Sequence, residues 1–334
     1  LETTEKAALV HGGKRSLSYI YEAAPETLSL LGQMQPGDLS GMRGVRFAIR
    51  CDSPTIVAFA MMEKNGARYQ TAFYVPANAW QNVAFDFDEM QPATDAPDAD
   101  GALDLDEIQG YAISDIAGLW MQAGMGQEGD RLMLLDDFHF TSQRARADVV
   151  AHNVSTHKSG VFIIDDFSSP LVRWMPALLE LQPLKLGIAD ARVKIAGEGE
   201  DRALVMPYTR AKNQVSALLR YLEDTKIPAS DALELGLQSA QDGVFLVSLR
   251  EKDGSRYEQS VELKKDEWKN VSLTLGEFKI ADDSKDENSK LDLGQITELA
   301  VGDIMPLLPE ALGKGPMTGD NVLKLRAVQF VKKP

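Results

Sequence analysis

The residues most able to do chemistry here are an arginine and a tyrosine that occur side by side twice. Glu63-Lys64-Asn65-Gly66-Ala67-Arg68-Tyr69 is echoed by Glu251-Lys252-Asp253-Gly254-Ser255-Arg256-Tyr257. A guanidinium offers a fork of donors and a phenol ring offers an apolar face, so the pair suits sugars or carboxylates; it would equally serve the packing and solubility of a turn. The run Asp95-Ala96-Pro97-Asp98-Ala99-Asp100-Gly101 has the oxygens a hard cation wants and a glycine for a sharp turn. Aligned on that glycine, however, the first ligand position falls on Ala96, and the second copy has Ser289 where the glycine stands. A solvated turn is expected. Gly124-Met125-Gly126-Gln127-Glu128-Gly129 spells a dinucleotide fingerprint, but that motif needs a helix after it, and residues 132–140 alternate like a strand. It reads as a hairpin loop. The four histidines (His11, His139, His152 and His157) include none shared by the repeats, and neither Gly-x-Ser-x-Gly nor His-Glu-x-x-His occurs. No catalytic site is expected, and the protein is read as a non-enzyme.

The two heptads lie 188 residues apart, and that offset extends well beyond them. It sets Leu30-Leu31 on Leu218-Leu219, Phe47 on Leu235, Trp80 on Trp268, Asp95 on Asp283 and Asp115-Ile116 on Asp303-Ile304. Past about residue 116 the offset becomes 190, and residues 132–140 match 322–330. Two copies of one domain follow, each too long to be a solenoid unit. Within a copy, residues 45–50, 57–61 and 245–250 alternate apolar and polar with period two, the pattern of strands with one buried face. Asn65-Gly66 and Asp253-Gly254 sit between such strands and supply the positive φ of a hairpin. Helical periodicity is scarce. The fold class is all-β: two tandem antiparallel β-sandwich domains, at 1–143 and 161–334, joined by a polar linker at 144–160. Residues 161–167 open domain 2 with a strand whose counterpart in domain 1 would precede residue 1. Domain 1 is thus expected to lack its first strand and to offer an open edge for strand pairing.

The chain has 334 residues, 44% hydrophobic and 25% charged, enough for a core in each half. Its net charge of −15 excludes nucleic acid and anionic membrane surfaces as natural partners. No apolar run is long enough for membrane insertion, and residues 1–13 lack the plan of a signal peptide. The one cysteine, Cys51, excludes an internal disulfide and aligns with Ser239, as a small buried side chain would.

Ile164-Asp165-Asp166-Phe167 followed by Trp174, hairpins of the Arg250-Glu251-Lys252-Asp253-Gly254 type, a strand opening at Trp268, the element Lys290-Leu291-Asp292-Leu293-Gly294-Gln295-Ile296 and the closing Leu134-Leu135-Asp136-Asp137-Phe138 together resemble galactose-binding-like jelly rolls. Such domains occur in carbohydrate-binding modules and in the complex I intermediate-associated protein family. The resemblance implies a jelly-roll sandwich that binds glycans or proteins, in a secreted, periplasmic or cell-envelope setting. It implies no cofactor beyond a structural calcium, for which Asp136 and Asp137 are the candidates in domain 1. Domain 2 ends Arg326-Ala327-Val328 and lacks those acids.

If Phe47, Ile49, Val57, Phe59 and Met61 point inward, then Arg50, Met62, Arg68, Gln70 and Tyr74 point outward. Their counterparts are Arg250, Arg256, Glu258, Ser260 and Glu262. Trp80 and Trp268, which align, are read as core or edge-packing residues, whereas Trp120 and Trp174 have no aligned tryptophan and are free of a shared structural role. The expected ligand-binding set is therefore Arg50, Arg68, Tyr69, Tyr74, Trp120, Trp174, Arg250, Arg256 and Tyr257. A glycan or envelope-binding module is the leading expectation, and a scaffold subunit binding protein partners is the alternative.

Overall fold

The computed structural model describes residues 1–123, 125, 126, 128–145, 160–182, 184–222, 225–308 and 317–333. Of the expected linker, residues 146–159 lie outside them. The chain divides into two compact units: Leu1–His152 with Ser169–Arg173, and Asn153–Ser168 with Trp174–Pro334.

Unit 1 contains β1 (Glu2–Thr4), β2 (Ser16–Ala23), β3 (Ser29–Met34), β4 (Gly44–Cys51), β5 (Thr55–Glu63), β6 (Arg68–Val75), β7 (Gln81–Asp86), β8 (Gln91–Pro92), β9 (Ile108–Asp115) and β10 (Gly129–Thr141). They form two antiparallel sheets, ordered β1-β2-β10-β4-β7 and β3-β9-β5-β6-β8. The period-two alternation buries one face of each strand. Phe47, Ile49, Val57, Phe59, Met61, Phe73 and Phe85 meet between the sheets. Each such ring or aliphatic chain contributes about 1.5–3 kcal/mol on leaving water.

Unit 2 contains β11 (Val161–Asp165), β12 (Met175–Leu181), β13 (Leu184–Ile188), β14 (Lys194–Ala196), β15 (Ala203–Arg210), β16 (Gln214–Tyr221), β17 (Ala232–Ser239), β18 (Gly243–Glu251), β19 (Arg256–Leu263), β20 (Lys269–Thr274), β21 (Lys279–Ile280), β22 (Ile296–Asp303) and β23 (Gly319–Val331). One sheet runs β14-β15-β23-β17-β20 with β11 also on β23, the other β13-β12-β16-β22-β18-β19-β21. Each unit is an antiparallel jelly-roll sandwich.

The register refines the repeat. Leu31 faces Ile113 as Leu218 faces Val301. The facing residues Ile113 and Val301 keep the 188 offset, so Leu31 corresponds to Leu218 and the offset at β3 is 187. Both copies have adjacent leucines here, so the sequence alone hides the one-residue gap, which the following loop absorbs. The offset of 190 at the last strand is visible in a shared bulge, where Asp137 (φ 54°) and Ala327 (φ 48°) take the same left-handed backbone.

Candidate functional site

The repeated heptad is a hairpin tip that fastens a loop. Gly66 (φ 92°) and Gly254 (φ 91°) turn the chain, and Asn65 and Asp253 accept the backbone N–H of Ala67 and Ser255. Arg68 pairs with Asp95 at 2.5 Å, and Arg256 with Asp283 at 2.6 Å. The Tyr69 hydroxyl donates to Asp98 at 2.8 Å, and that of Tyr257 to Asp286. Glu63 and Glu251 accept the backbone N–H of Asp104 and Asp292. Every tie therefore recurs at the 188 offset. Both tyrosine rings are buried, where the expectation had them available to a ligand. They lie on the inward row of the strand, and only their hydroxyls reach the acidic loops. The Arg68 hydrogen bond holds the Asp95 carboxyl below the usual range, and the Tyr257 hydroxyl does the same for Asp286. Burial pushes Glu63 and Glu251 the other way.

Carboxylate oxygens of Glu251, Asp253 and Asp286 lie within 4.8 Å of one another, a spacing that could hold a hard cation. In unit 1 the corresponding residues are Glu63, Asn65 and Asp98, with an amide in the middle. The unit 2 oxygens already accept from Ser255, Tyr257 and the backbone N–H groups of Asp292, Asn288 and Lys290, so protein donors account for the cluster.

The remaining expected residues scatter. Arg50 donates to the Ala8 carbonyl at 2.7 Å. Arg250 faces Glu298 at 3.4 Å. Tyr74 belongs to the outer row of its sheet by register, yet it is 1% exposed; its backbone N–H bonds the Val172 carbonyl, in the Ser169–Arg173 stretch that counts with this unit. Trp174 is fully buried and donates its indole N–H to Asp165 at 3.1 Å; it is core, not a ligand platform. Trp120 falls in a 3-10 turn (Ala117–Ala123), and its side chain lies outside the described residues, as do Gly124 and Gln127 of the glycine-rich loop. Asp136 accepts the backbone N–H groups of His11, Gly12 and Asp137, and Asp137 meets the His11 ring at 3.1 Å. Backbone donors thus occupy the Asp136 oxygens that the resemblance offered to calcium.

Two features were not read from the sequence. Asp115 and Asp303, one offset apart, sit buried beneath matching tyrosines. Asp115 accepts from Tyr21 at 2.6 Å and Thr55 at 2.6 Å, with Arg131 at 3.5 Å; Asp303 accepts from Tyr208, from Arg210 at 2.6 Å and from Asn321 at 3.3 Å. Burial raises both phenols far above their usual range, and the adjacent carboxylate adds to it. The cation comes from β10 in one copy and from β15 in the other, so an offset search cannot pair them. The second feature is a half-exposed tryptophan on each unit. Trp80 packs on the His11 ring, centroids 5.4 Å apart, and the Arg326 guanidinium lies 4.2 Å over Trp268. Around Trp268 the outer face of the sheet presents Asn270, Glu234 and Gln329, with Arg326 bonded to Asn270 at 3.2 Å and Gln329 to Glu234 at 3.1 Å.

No protein-family model matches the chain, and no curated protein matches its sequence. Solved structures with similarity to it include a family 11 carbohydrate-binding module of a cellulosomal cellulase from Clostridium thermocellum, 14% identical over 53% of this chain and 97% of that one, with a TM-score of 0.39. A family 30 carbohydrate-binding module is 12% identical over 53% and 90%, TM-score 0.35. An agarase is 11% identical over 53% of this chain and 25% of its own, TM-score 0.34.

Proposed function

We propose that the protein is a non-catalytic binding module for glycan or cell-envelope material, acting in a secreted, periplasmic or envelope setting. The observation that carries this reading is the Trp268 surface. Sugar rings offer apolar C–H faces rimmed by hydroxyls, and a fixed indole beside amides and a carboxylate answers both. Arg326 fixes that indole by cation–π contact, and Trp80 holds the corresponding place in unit 1. Of the residues singled out from the sequence, Arg50 stands on β4 in the same sheet as β7, which Trp80 precedes, whereas Arg68, Arg250 and Arg256 lie on the other sheet of their unit and take no part in this surface. A glycan array, followed by calorimetric titration with the soluble polysaccharides that score, tests the reading. Binding is expected, and Trp268→Ala weakens it at least tenfold while the fold is kept. Absence of binding to any glycan, or binding indifferent to both Trp268→Ala and Trp80→Ala, would sink it.

A second reading is a scaffold subunit that binds protein partners and pairs strands at the open edge of unit 1. It is favoured by β3, whose outer edge pairs with no strand among the described residues. No helix among these residues is long and apolar enough to cross a membrane.

A further inference from the structure

The strands β1-β2-β10-β4-β7 of unit 1 and β14-β15-β23-β17-β20 of unit 2 occupy matching places. Their first loops differ. Residues 197–202 join β14 to β15, whereas residues 5–15 join β1 to β2, far beyond the usual hairpin loop of about 2–5 residues. The long loop folds back over the outer face of its own sheet. Its Leu9 carbonyl accepts from the Ser16 hydroxyl on β2, and its Ala8 carbonyl from Arg50 on β4 at 2.7 Å. On β10, Asp136 Oδ2 accepts the backbone N–H of His11 at 2.9 Å and of Gly12 at 3.1 Å. The His11 ring meets Asp137 at 3.1 Å and packs on Trp80. A Cβ at Gly12 would stand 3.0 Å from the Asp137 carboxylate, so the close approach suits glycine.

The face beneath is built for this cover. Leu134 belongs to the outer row, between Arg50 and Ser18, yet it is 1% exposed. Its counterpart in unit 2 is Lys324, and those of Asp136, Asp137 and Arg50 are Arg326, Ala327 and Gln238. The latch therefore belongs to unit 1 alone, while the tryptophan is common to both. The loop itself is not close-packed: a cavity of about 640 Å³ opens along Glu5, Ala7, Val10, Gly13, Lys14 and Arg15.

We infer that residues 5–15 form a strap over a second glycan face, at Trp80, and that a neutral sugar displaces it. This rests on the glycan reading above and gives unit 1 a site under its own control. The strap's contacts state the chemistry of what replaces it. A ring lies on the indole, two adjacent donors converge on one carboxylate oxygen, and an acceptor reaches Arg50. A pyranose with neighbouring hydroxyls supplies all three. An anionic sugar would meet Asp136 and Asp137 and be repelled. A face open a tenth of the time binds about tenfold more weakly than one always open.

The test is calorimetric titration of the full chain carrying Trp268→Ala with hexasaccharides of β-linked glucose, galactose and mannose. His11→Ser with Gly12→Pro removes the ring and one N–H of the latch. It should tighten binding of at least one hexasaccharide at least tenfold, and adding Trp80→Ala should abolish the gain. His11→Ser alone, which keeps the backbone bonds, should give a smaller gain and serves if the double variant does not fold. Saturating sugar should also speed hydrogen exchange at residues 11 and 12. No gain in either strap variant, or a gain that survives Trp80→Ala, overturns the inference. Binding through Trp268 in the unaltered chain with no such gain keeps the glycan reading and removes the strap. A gain through Trp80 without binding through Trp268 keeps the strap and removes the Trp268 surface, and silence in every variant removes both.

Discussion

Tyr257 and Asp286 show how one hydroxyl can set the behaviour of a loop. The phenol ring is anchored in the core while its hydroxyl donates to a carboxylate on the surface loop. That bond favours the ionised form and holds Asp286 below the usual range. A depressed carboxylate stabilises the fold above its unfolded pKa and loses that contribution as the pH falls through the folded one. Glu251, raised by burial, acts in the opposite sense: its ionised form costs stability near neutral pH, and the cost is relieved as the pH falls. Tyr257→Phe should return Asp286 to the ordinary carboxylate range, seen by side-chain carboxyl NMR titration, and should remove the acid-side loss of loop order that Asp286 causes. An unchanged Asp286 titration would show that the neighbouring backbone N–H groups, not the phenol, set it. Trp174 teaches the contrary lesson about unpaired aromatics. It lacked an aligned partner and looked free for ligand, yet Trp174→Ala should cost about 3–5 kcal/mol in denaturant unfolding of unit 2, by opening a large cavity, and leave glycan affinity unchanged.

At the scale of the element, the hairpin tip is a turn whose geometry two glycines make affordable. Both sit at φ near 90°, where a Cβ is strained by about 1–2 kcal/mol. Gly66→Ala and Gly254→Ala should each cost about that much in urea unfolding and speed hydrogen exchange in the loop fastened by the same tip. A cost with no change in that loop would separate the turn from its ties. The hairpins, their strands and the sandwich class were legible in the sequence, because alternation and a repeated Asn/Asp-Gly are local signals. Alternation states which face a residue takes but not what lies across from it. Hence Tyr74 was placed on the outer row correctly and its cover was missed, and Arg68 and Tyr69 were singled out, as were Asp95 and Asp98, 27 and 29 residues on, without the contacts that join them. The hairpin of β12 and β13 escaped because Met175–Leu181 is apolar on both sides and shows no period.

At the scale of the whole molecule, the two sandwiches can be compared through the carboxylate each buries. Asp115 and Asp303 stand at the same place, each bonded to a tyrosine from the opposite sheet of its sandwich and facing a buried arginine. Removing the acid leaves that arginine charge without its counter-ion in a site closed to water, a loss of about 3–5 kcal/mol for a buried pair. The effect should stay within the unit that carries it, since each core is built from its own strands. Asp115→Ala should therefore raise native-state hydrogen exchange across β2, β4 and β10 and leave β15, β17 and β23 protected, and Asp303→Ala should do the reverse. Asp303→Ala is expected to be the costlier of the two, because Arg210 is fully buried and pairs at 2.6 Å, whereas Arg131 stands 3.5 Å from Asp115. Exchange that rises in both units with either substitution would mean that the copies open as one cooperative body, and the duplicated carboxylate would then be a shared lock instead of two separate ones.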